Sequence, residues 1–300
     1  MKIGYPCINR SLSCKGHHTF RLRSYSEERL QQTIRNNLDC LFHILRFNLD
    51  HGLLFFRISS DLIPFASHSV CTFPWQRVFQ KRFEEIGQFI IKNDIRISMH
   101  PDQFIVLNTP REDVFQRSVA EIAYHANVLD LMDLDTSAKI QLHVGGVYGE
   151  KQKSMDRFIN RYLSLDAILK RRLVIENDEK SYSIKDCLLI HKKIKIPVLF
   201  DYFHHTLLNN HESLSDVLKS YKKTWKTKDG IPMVDYSSQK PHLKKGSHAE
   251  HLNNPDFSKF IHQSKPFDFD LMLEIKDKEH SAIEALKVLE SDYRLVPQTK

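Results

Sequence analysis

The segment from residue 139 to residue 178 reads KIQLHVGGVYGEKQKSMDRFINRYLSLDAILKRRLVIEND and contains one complete repeat of the fold. Its first residues, Lys139–Val144, predict a strand, and Lys153–Lys170 has the apolar spacing of a helix. Leu173–Ile175 then predicts a second strand. A strand, a long helix and another strand in this order are typical of a parallel βαβ unit with a right-handed crossover.

The same alternation extends over the whole chain. The predicted strands are Lys2–Ile8, Leu53–Ser59, Arg96–Met99, Lys139–Val144, Leu173–Ile175, Pro197–Phe200, Pro232–Asp235 and Phe269–Ile275. The predicted helices are Glu27–His51, Trp75–Lys92, Arg111–Asp133, Lys153–Lys170, Ile184–Lys193, Leu214–Trp225, Asp256–Ser264 and His280–Glu290. Strand–helix units repeated in this way over 300 residues predict an α/β fold, a (β/α)8 TIM barrel forming one domain over residues 1–300. An open doubly wound sheet is the alternative, but the Gly-rich phosphate turn that normally accompanies it does not occur in the sequence.

The composition excludes some classes of protein. Hydrophobic residues make up 41% of the chain, which is enough for a sizeable core, and no apolar run approaches the roughly 18–20 residues of a membrane span. The five cysteines include no CxxC pair, so neither a disulfide framework nor a thiolate zinc cluster is expected, and a reducing cytoplasm is the simplest setting. A net charge of +7 indicates, weakly, a polyanionic partner.

The residues that could bind metal ions or transfer protons lie at the ends of the predicted strands. In a TIM barrel the active site is built at the carboxyl ends of the strands. Most of these ends contain a histidine or a carboxylate: His100, His143, Glu176, Asp201 with His204, Asp235 and Glu274, and the loops add His68 and His248. One such residue commonly caps a helix, but this many carboxylates in one place would repel each other unless cations neutralised them.

We therefore predict a multinuclear metal site. Histidine and carboxylate ligands without thiols suit Zn²⁺, Mn²⁺ or Fe²⁺. Such a site favours phosphoester hydrolysis, because a bound ion generates a nucleophile from water and its neighbours stabilise the charge of the transition state. The same scaffold could also hold two metals for a sugar isomerase.

At these residues the chain resembles the UV damage endonuclease family, relatives of endonuclease IV among the metal-dependent TIM barrels. The resemblance covers essentially the whole chain. The matching segments are Gly4–Asn9, Arg57–Pro64, Ser98–Gln103, Leu142–Gly146, Ile175–Asp178, Asp201 with His204-His205, Asp235–Gln239, Gly246–His248 and Glu274–Glu279.

The resemblance implies a reaction and a set of ligands. The reaction is ATP-independent incision of DNA on the 5′ side of cyclobutane pyrimidine dimers and 6-4 photoproducts, which leaves a 3′-hydroxyl and a 5′-phosphate and initiates excision repair. Abasic sites are further candidate substrates. The implied ligands are His68, His100, His143, Glu176, Asp201, His204, His248 and Glu274, with Glu176 bridging two ions. Glu176, His204 and Glu274 are the residues assigned to catalysis, and Mn²⁺ is the expected cofactor, with Mg²⁺ and Zn²⁺ as alternatives.

One departure from the family pattern concerns the seventh strand. Some members carry a modified lysine two residues before a histidine ligand, whereas this chain reads Met233-Val234-Asp235. Methionine is a poor ligand for a hard divalent ion, so a third ion would depend on Asp235. We therefore expect two or three ions per chain.

DNA contacts are expected from the loops of the same face. The family inserts a Gln-Tyr pair into the duplex, and the matching pair here is Gln103-Phe104; a photodimer is already poorly paired, so extruding it costs less than extruding a normal base. Tyr5 and Asn9 are expected to help hold the extruded dinucleotide, although packing at the barrel mouth is the alternative role for Tyr5 and Phe104. Lys240 and Lys244, in the loop after strand seven, are candidates for phosphate contacts.

The sequence is compatible with three candidate functions. The leading hypothesis is a metal-dependent DNA repair endonuclease that acts as a monomer on damaged duplex DNA. The alternatives are a sugar isomerase on the same scaffold and a lesion-binding protein without catalysis. An isomerase would need a small enclosed pocket instead of an open basic groove, and pure binding would not need so many metal ligands.

Overall fold

Eight parallel strands close into a barrel in the computed structural model, which describes residues 1–297. Each strand pairs with its successor, and β1 also pairs with β8. The strands are β1 (Ile3–Pro6), β2 (Phe55–Ile58), β3 (Arg96–Met99), β4 (Lys139–His143), β5 (Leu173–Glu176), β6 (Val198–Asp201), β7 (Met233–Tyr236) and β8 (Asp270–Leu273). This confirms the predicted single-domain (β/α)8 barrel; the end of the predicted domain, at residue 300, lies outside the described residues.

The helices surround the barrel. They are α1 (Glu27–Asp50), α2 (Trp75–Val78), α3 (Gln80–Lys92), α4 (Glu112–Leu131), α5 (Lys151–Ser164), α6 (Ala167–Lys170), α7 (Ile184–Ile194), α8 (Tyr202–Leu207), α9 (Leu214–Lys222), α10 (Asn254–Gln263) and α11 (Glu279–Val288).

Two helices predicted as continuous are divided, and one short helix was not predicted. Phe79 separates α2 from α3 because its backbone, with φ −105° and ψ 8°, departs from helical geometry. Leu165 and Asp166 are extended and separate α5 from α6. Helix α8 is too short for its apolar spacing to be recognisable in the sequence.

Local sequence explains the longest helix. The hydroxyl of Ser26 accepts a hydrogen bond from the backbone of Arg29, which satisfies one of the free donors at the start of α1. The apolar residues of α1 recur at helical spacing and are buried: Leu30, Ile34, Leu38, Leu41 and Leu45. This face packs on strands that are themselves buried on both sides, as in other parallel barrels.

The amino-terminal end of the barrel contains paired charges. Lys139 Nζ lies 2.6 Å from Asp229 Oδ1, and Arg96 Nη1 lies 3.5 Å from Asp270 Oδ2. All four residues are buried, so each charge depends on its partner for compensation. The charges at this end are therefore neutralised within the protein.

A disulfide joins Cys14 to Cys40, with the two Cα atoms 5.7 Å apart. It links the loop after β1 to α1, so the expectation that the cysteines form no disulfide is wrong for this pair. Their 26-residue separation carries no spacing signal, and only the packing of the loop on α1 brings them together. Cys7, Cys71 and Cys187 are free thiols.

None of the helices within residues 1–297 combines the length and the apolar composition needed to cross a bilayer.

Candidate metal centre

Five potential ligands converge at the carboxyl ends of four neighbouring strands. His143, Glu176 and Asp201 are the last residues of β4, β5 and β6. His100 directly follows β3, and His204 lies in α8, immediately after β6. The barrel therefore brings together residues that are up to about a hundred positions apart in sequence, as the strand-end pattern predicts.

Glu176 is the centre of the cluster. Its Oε2 lies 3.5 Å from His100 Nε2 and 4.0 Å from His143 Nε2, and its Oε1 lies 3.4 Å from His204 Nδ1. Two groups have ligand atoms close enough to share an ion: His100 with His143 and Glu176, and Glu176 with Asp201 and His204. Because Glu176 belongs to both groups, the geometry suits a carboxylate that bridges two ions.

Neighbouring groups orient the ligands. The Nδ1 of His100 lies 2.8 Å from the Pro101 carbonyl oxygen, which directs its Nε2 into the cluster. Gln141 donates from Nε2 to Glu176 Oε2 at 2.7 Å and so fixes the carboxylate from below. Hydrogen bonds of this kind set the orientation and basicity of metal ligands.

The cluster favours an ionised Glu176. Burial alone would raise the pKa of Glu176, but His143 and the hydrogen-bonding rings of His100 and His204 hold it well below its usual range. The carboxylate is therefore charged at neutral pH, which is the form that binds a cation.

Asp201 and His204 form the second half of the cluster. The backbone N–H of His204 donates to Asp201 Oδ1 at 2.6 Å, while His204 Nδ1 lies 3.3 Å from Asp201 Oδ2. Burial raises the pKa of Asp201 to about 8. Although burial opposes it, the carboxylates of Asp201 and Glu176 raise the pKa of His204 to about 11. At neutral pH the His204 ring therefore carries a proton, which has to leave when this ring binds a metal ion.

The donor set fits divalent metal ions. Within residues 1–297, Asp201 Oδ2 and His143 Nδ1 are buried and have no hydrogen-bond partner. A buried polar atom without a partner is costly, and a metal ion would compensate the carboxylate oxygen. Mixed imidazole and carboxylate donors suit Mn²⁺, Zn²⁺ or Fe²⁺.

His248 and Glu274 lie beside this cluster without entering it. They line a cavity of about 740 Å³ together with His100 and His143. The Nδ1 of His248 lies 2.8 Å from the backbone carbonyl oxygen of Glu274. The other ring nitrogen, Nε2, is not used in this contact. Their assignment as ligands stays a prediction.

Asp235 forms a buried ion pair with Arg57. Arg57 Nη2 donates to Asp235 Oδ2 at 2.6 Å, and Gln141 Nε2 donates to the same oxygen at 2.8 Å. Arg57 Nη1 also donates to Glu274, and although burial opposes ionisation, this guanidinium lowers the pKa of Glu274 to about 2. Asp235 is therefore already neutralised by Arg57, which weakens its candidacy as a metal ligand.

The structure does not bring His68 to the cluster. His68 is exposed in the segment after β2, and its Nδ1 accepts a hydrogen bond from the backbone of Val70 at 3.0 Å. Its predicted role as a ligand would require that segment to move.

The residues predicted to hold the lesion differ in exposure. Gln103 and Phe104 are exposed on the loop after β3, and Phe104 keeps 76% of its surface accessible. Tyr5 has no exposed surface; its hydroxyl donates to Asn48 Oδ1 of α1 at 2.6 Å and accepts from Asn9 Nδ2 at 2.8 Å. Tyr5 is thus packed against α1 and Phe104 is not, and the lesion-binding roles of Tyr5, Asn9, Gln103 and Phe104 stay predictions.

The two predicted phosphate-binding lysines also differ. Lys244 is exposed and lines the cavity of the metal cluster. Lys240 lies 2.8 Å from Glu250, so its charge is partly satisfied within the protein. Lys244 is the better placed of the two.

Sequence reasoning assigned no role to Arg57, Gln141 or Asn177. The side-chain amide of Asn177 forms hydrogen bonds with the backbone N–H and carbonyl oxygen of Asp201. Its backbone carbonyl oxygen lies 3.1 Å from His204 Nδ1. A polar residue in the interior of a predicted strand is the signal that could have identified Arg57 in Phe55–Ile58 and Gln141 in Lys139–His143.

Comparisons with known proteins agree with this geometry. The family described as UV-endonuclease UvdE matches residues 1–299. The UV DNA damage endonuclease of Clostridium perfringens (strain 13 / Type A) is 40% identical over 291 residues, which cover 96% of this chain and 71% of the relative.

Solved structures show the same relationship. The crystal structure of SacUVDE is 47% identical in sequence and superposes with a TM-score of 0.94. The match covers 98% of this chain and 100% of that one. Endonuclease IV from Thermus thermophilus, at 14% identity, TM-score 0.57 and coverage of 84% of this chain and 93% of that one, shares the fold. The match over nearly the whole chain shows that this protein belongs to the UV-endonuclease UvdE family.

Proposed function

We propose that this protein is a metal-dependent endonuclease that nicks duplex DNA immediately 5′ of UV photoproducts. The product ends would be a 3′-hydroxyl and a 5′-phosphate, and incision would initiate excision repair. One observation carries the proposal: a single buried carboxylate, Glu176, lies within 4.0 Å of histidines from three strand ends, in a chain of the UvdE family.

The proposed site holds two divalent ions. His100, His143 and Glu176 would hold one, and Glu176, Asp201 and His204 the other. When bound, such ions lower the pKa of water to generate a nucleophile and offset the charge that develops on a phosphate. We propose Mn²⁺ as the ion, with Mg²⁺ or Zn²⁺ as alternatives.

The protein's own residues would position the reaction. Gln141 keeps the Glu176 carboxylate in its bridging orientation, and Asn177 keeps Asp201 and His204 in register. His248 and Glu274 on the cavity wall are the proposed additional ligands. A third ion is not part of the proposal because Arg57 already neutralises Asp235.

Damage recognition would depend on Gln103 and Phe104. Both are exposed on a loop that lines the cavity of the metal cluster. An exposed aromatic ring beside a nuclease site can stack on a base. A photodimer is already poorly paired, so unstacking it from the duplex costs less free energy than unstacking normal bases. We further propose that the enzyme acts as a cytoplasmic monomer on damaged duplex DNA.

The test is to map nicks in a labelled duplex that carries one photodimer, with an undamaged duplex as the reference. With Mn²⁺, we expect cleavage at the phosphate 5′ of the dimer, and a polymerase should extend the new end without prior processing. Glu176→Gln should abolish this cleavage while damaged-DNA binding remains, whereas Glu84→Gln, an exposed position on α3, should cleave normally. Equal cleavage of both duplexes, or normal cleavage by Glu176→Gln, would contradict the proposal.

A further inference from the structure

Lys278 is a cation in the wall of the metal-site cavity and belongs to neither candidate ligand group. It lies at the start of α11 and lines the cavity together with Arg57, His100 and Glu274. Its side chain is half-buried, yet among residues 1–297 it forms no ion pair and no side-chain hydrogen bond. A lysine with free donors therefore lines the same cavity as His100 and His143, two of the candidate ligands.

The other cations of this wall are either engaged or exposed. Both terminal nitrogens of Arg57 are bonded to Asp235 and Glu274. Lys244 and Lys276 extend from exposed positions, where water screens their charge. Lys278 thus combines partial burial with an unpaired charge, which makes its attraction for an anion stronger than that of a surface lysine.

The backbone of Lys278 has a conformation that lysine rarely adopts. Its φ is 59° and its ψ is −116°, a combination that favours glycine because a Cβ atom is crowded there. Hydrogen bonds on both sides maintain it: its N–H donates to Ile275, and its carbonyl oxygen accepts from Ala282. Non-glycine residues held in such strained conformations cluster at active sites and ligand clamps.

Capping of the helix does not explain the lysine. The side chain of Lys278 makes no capping hydrogen bond at the start of α11. A positive charge at a helix amino terminus is also unfavourable, because the helix dipole is positive there. Neither local structure nor an internal ion pair therefore accounts for a lysine at this position.

We propose that Lys278 binds a non-bridging oxygen of the scissile DNA phosphate and holds that phosphate against the metal cluster. This inference rests on the proposed endonuclease function and adds a substrate-binding residue to it. The phosphodiester is the anion that an endonuclease must bring to this cavity, and an ammonium provides three donors for its oxygens.

The test compares Lys278→Gln, Lys278→Arg and Lys278→Gly with the wild type. The matched control is Lys287→Gln, an exposed lysine on the same helix. Three quantities are measured: kcat/KM for nicking a single-photodimer duplex, Mn²⁺ content, and the salt dependence of damaged-DNA affinity in a Glu176→Gln background.

Lys278→Gln should lower kcat/KM by on the order of 10- to 100-fold, the usual effect of losing one charge-assisted hydrogen bond. The slope of log affinity against log salt should decrease in magnitude by about 0.9, the value for one phosphate contact. Lys278→Arg should retain the slope, and the Mn²⁺ content should not change in any variant. Lys278→Gly should lose the contact without losing thermal stability, because glycine suits the backbone conformation.

An unchanged slope together with unchanged kcat/KM in Lys278→Gln or Lys278→Gly would overturn the inference while leaving the endonuclease function intact. Loss of Mn²⁺ in these variants would also overturn it, since the lysine would then be supporting the metal cluster. Failure of the wild-type protein to nick damaged DNA would instead refute the proposed function itself. If Lys278→Gln does not fold, Lys278→Gly supplies the same comparison.

Discussion

Asp235 and Asp201 are both buried aspartates at the ends of neighbouring strands, but their surroundings differ. Among residues 1–297, Asp201 Oδ2 has no hydrogen-bond partner, and it lies 3.3 Å from His204 Nδ1. Asp235 also has one such oxygen, but its other oxygen accepts from both Arg57 and Gln141. Because Arg57 supplies the positive charge, Asp235 has less need of a metal ion than Asp201 has.

Replacing these aspartates should therefore change the metal content differently. We expect two Mn²⁺ ions per chain in the wild type. Asp235→Asn should bind the same number, because asparagine preserves the shape of the side chain and Arg57, not a metal ion, balances the charge of Asp235. Asp201→Asn should lose one ion. Elemental analysis after gel filtration measures the content directly, and three ions in the wild type with two in Asp235→Asn would identify Asp235 as a ligand.

Metal affinity should increase with pH. The pKa of His204 is raised to about 11 by Asp201 and Glu176, although burial opposes it, so at neutral pH this ring carries a proton that competes with the metal. Raising the pH favours the unprotonated ring and hence the bound ion, by about tenfold per pH unit for each proton released. Calorimetric titration of Mn²⁺ between pH 6 and 8, in buffers of different ionisation enthalpy, should detect proton release; a pH-independent affinity would show that His204 binds no ion.

Gln103 and Phe104 should determine selectivity more than affinity. Replacing both with alanine should reduce the preference for damaged over undamaged duplex, because the stacking surface of Phe104 is lost, by roughly 1–3 kcal/mol for one base contact. Fluorescence anisotropy with matched damaged and undamaged duplexes measures this ratio. Tyr148→Ala, another exposed aromatic position, is the control, and an unchanged ratio in the double variant would exclude the loop from recognition.

At the scale of elements, the loop between β1 and α1 is held by the Cys14–Cys40 disulfide and by hydrogen bonds. Asn37 of α1 accepts from the backbone of His18 at 2.9 Å and donates to its carbonyl oxygen at 3.1 Å. Asn9 closes the start of the loop by accepting from Ser11 and Leu12. The bridge therefore supports a loop that already has ordered contacts.

Reduction should lower stability without unfolding the protein. Closing a loop of this length contributes on the order of 3 kcal/mol through the unfolded state, which corresponds to a few degrees in Tm. Calorimetry with and without reductant should show this decrease in the wild type, whereas Cys14→Ser/Cys40→Ser should be insensitive to reductant. A wild-type Tm that does not respond to reductant would indicate that the bridge does not form in solution.

The order of elements could be predicted from the sequence, but the contacts across the barrel could not. His143, Glu176 and Asp201 stand at strand ends in the linear sequence, so a parallel barrel places them together. Arg57, in contrast, meets Asp235 and Glu274 only because β2, β7 and β8 enclose the same interior. The burial of Tyr5 was also hidden, since strands buried on both faces lack the alternation that reveals side-chain direction.

At the scale of the whole molecule, the two ends of the barrel have different electrostatic character. At the amino-terminal end, Lys139 and Arg96 are paired with Asp229 and Asp270. At the carboxyl end, the carboxylates of the cluster have histidines and Arg57 but also unpaired buried atoms. The charges of the first arrangement are balanced within the protein, whereas the second leaves carboxylates that cations could balance.

The +7 net charge is a modest contribution to DNA binding. Only cations on the carboxyl face, such as Lys244 and Lys278, line the cavity that DNA would approach. The proposed damage-specific binding would therefore depend on the metal cluster and the exposed loop after β3 more than on the overall charge.

The most direct test of the account is to remove the metal ions with a chelator and restore Mn²⁺ one equivalent at a time while nicking of a single-photodimer duplex is followed. Because Glu176 belongs to both candidate ligand groups, we predict that the stripped protein is inactive and that nicking 5′ of the dimer returns as the second equivalent binds. Nicking of the damaged strand by the metal-free protein would contradict the account.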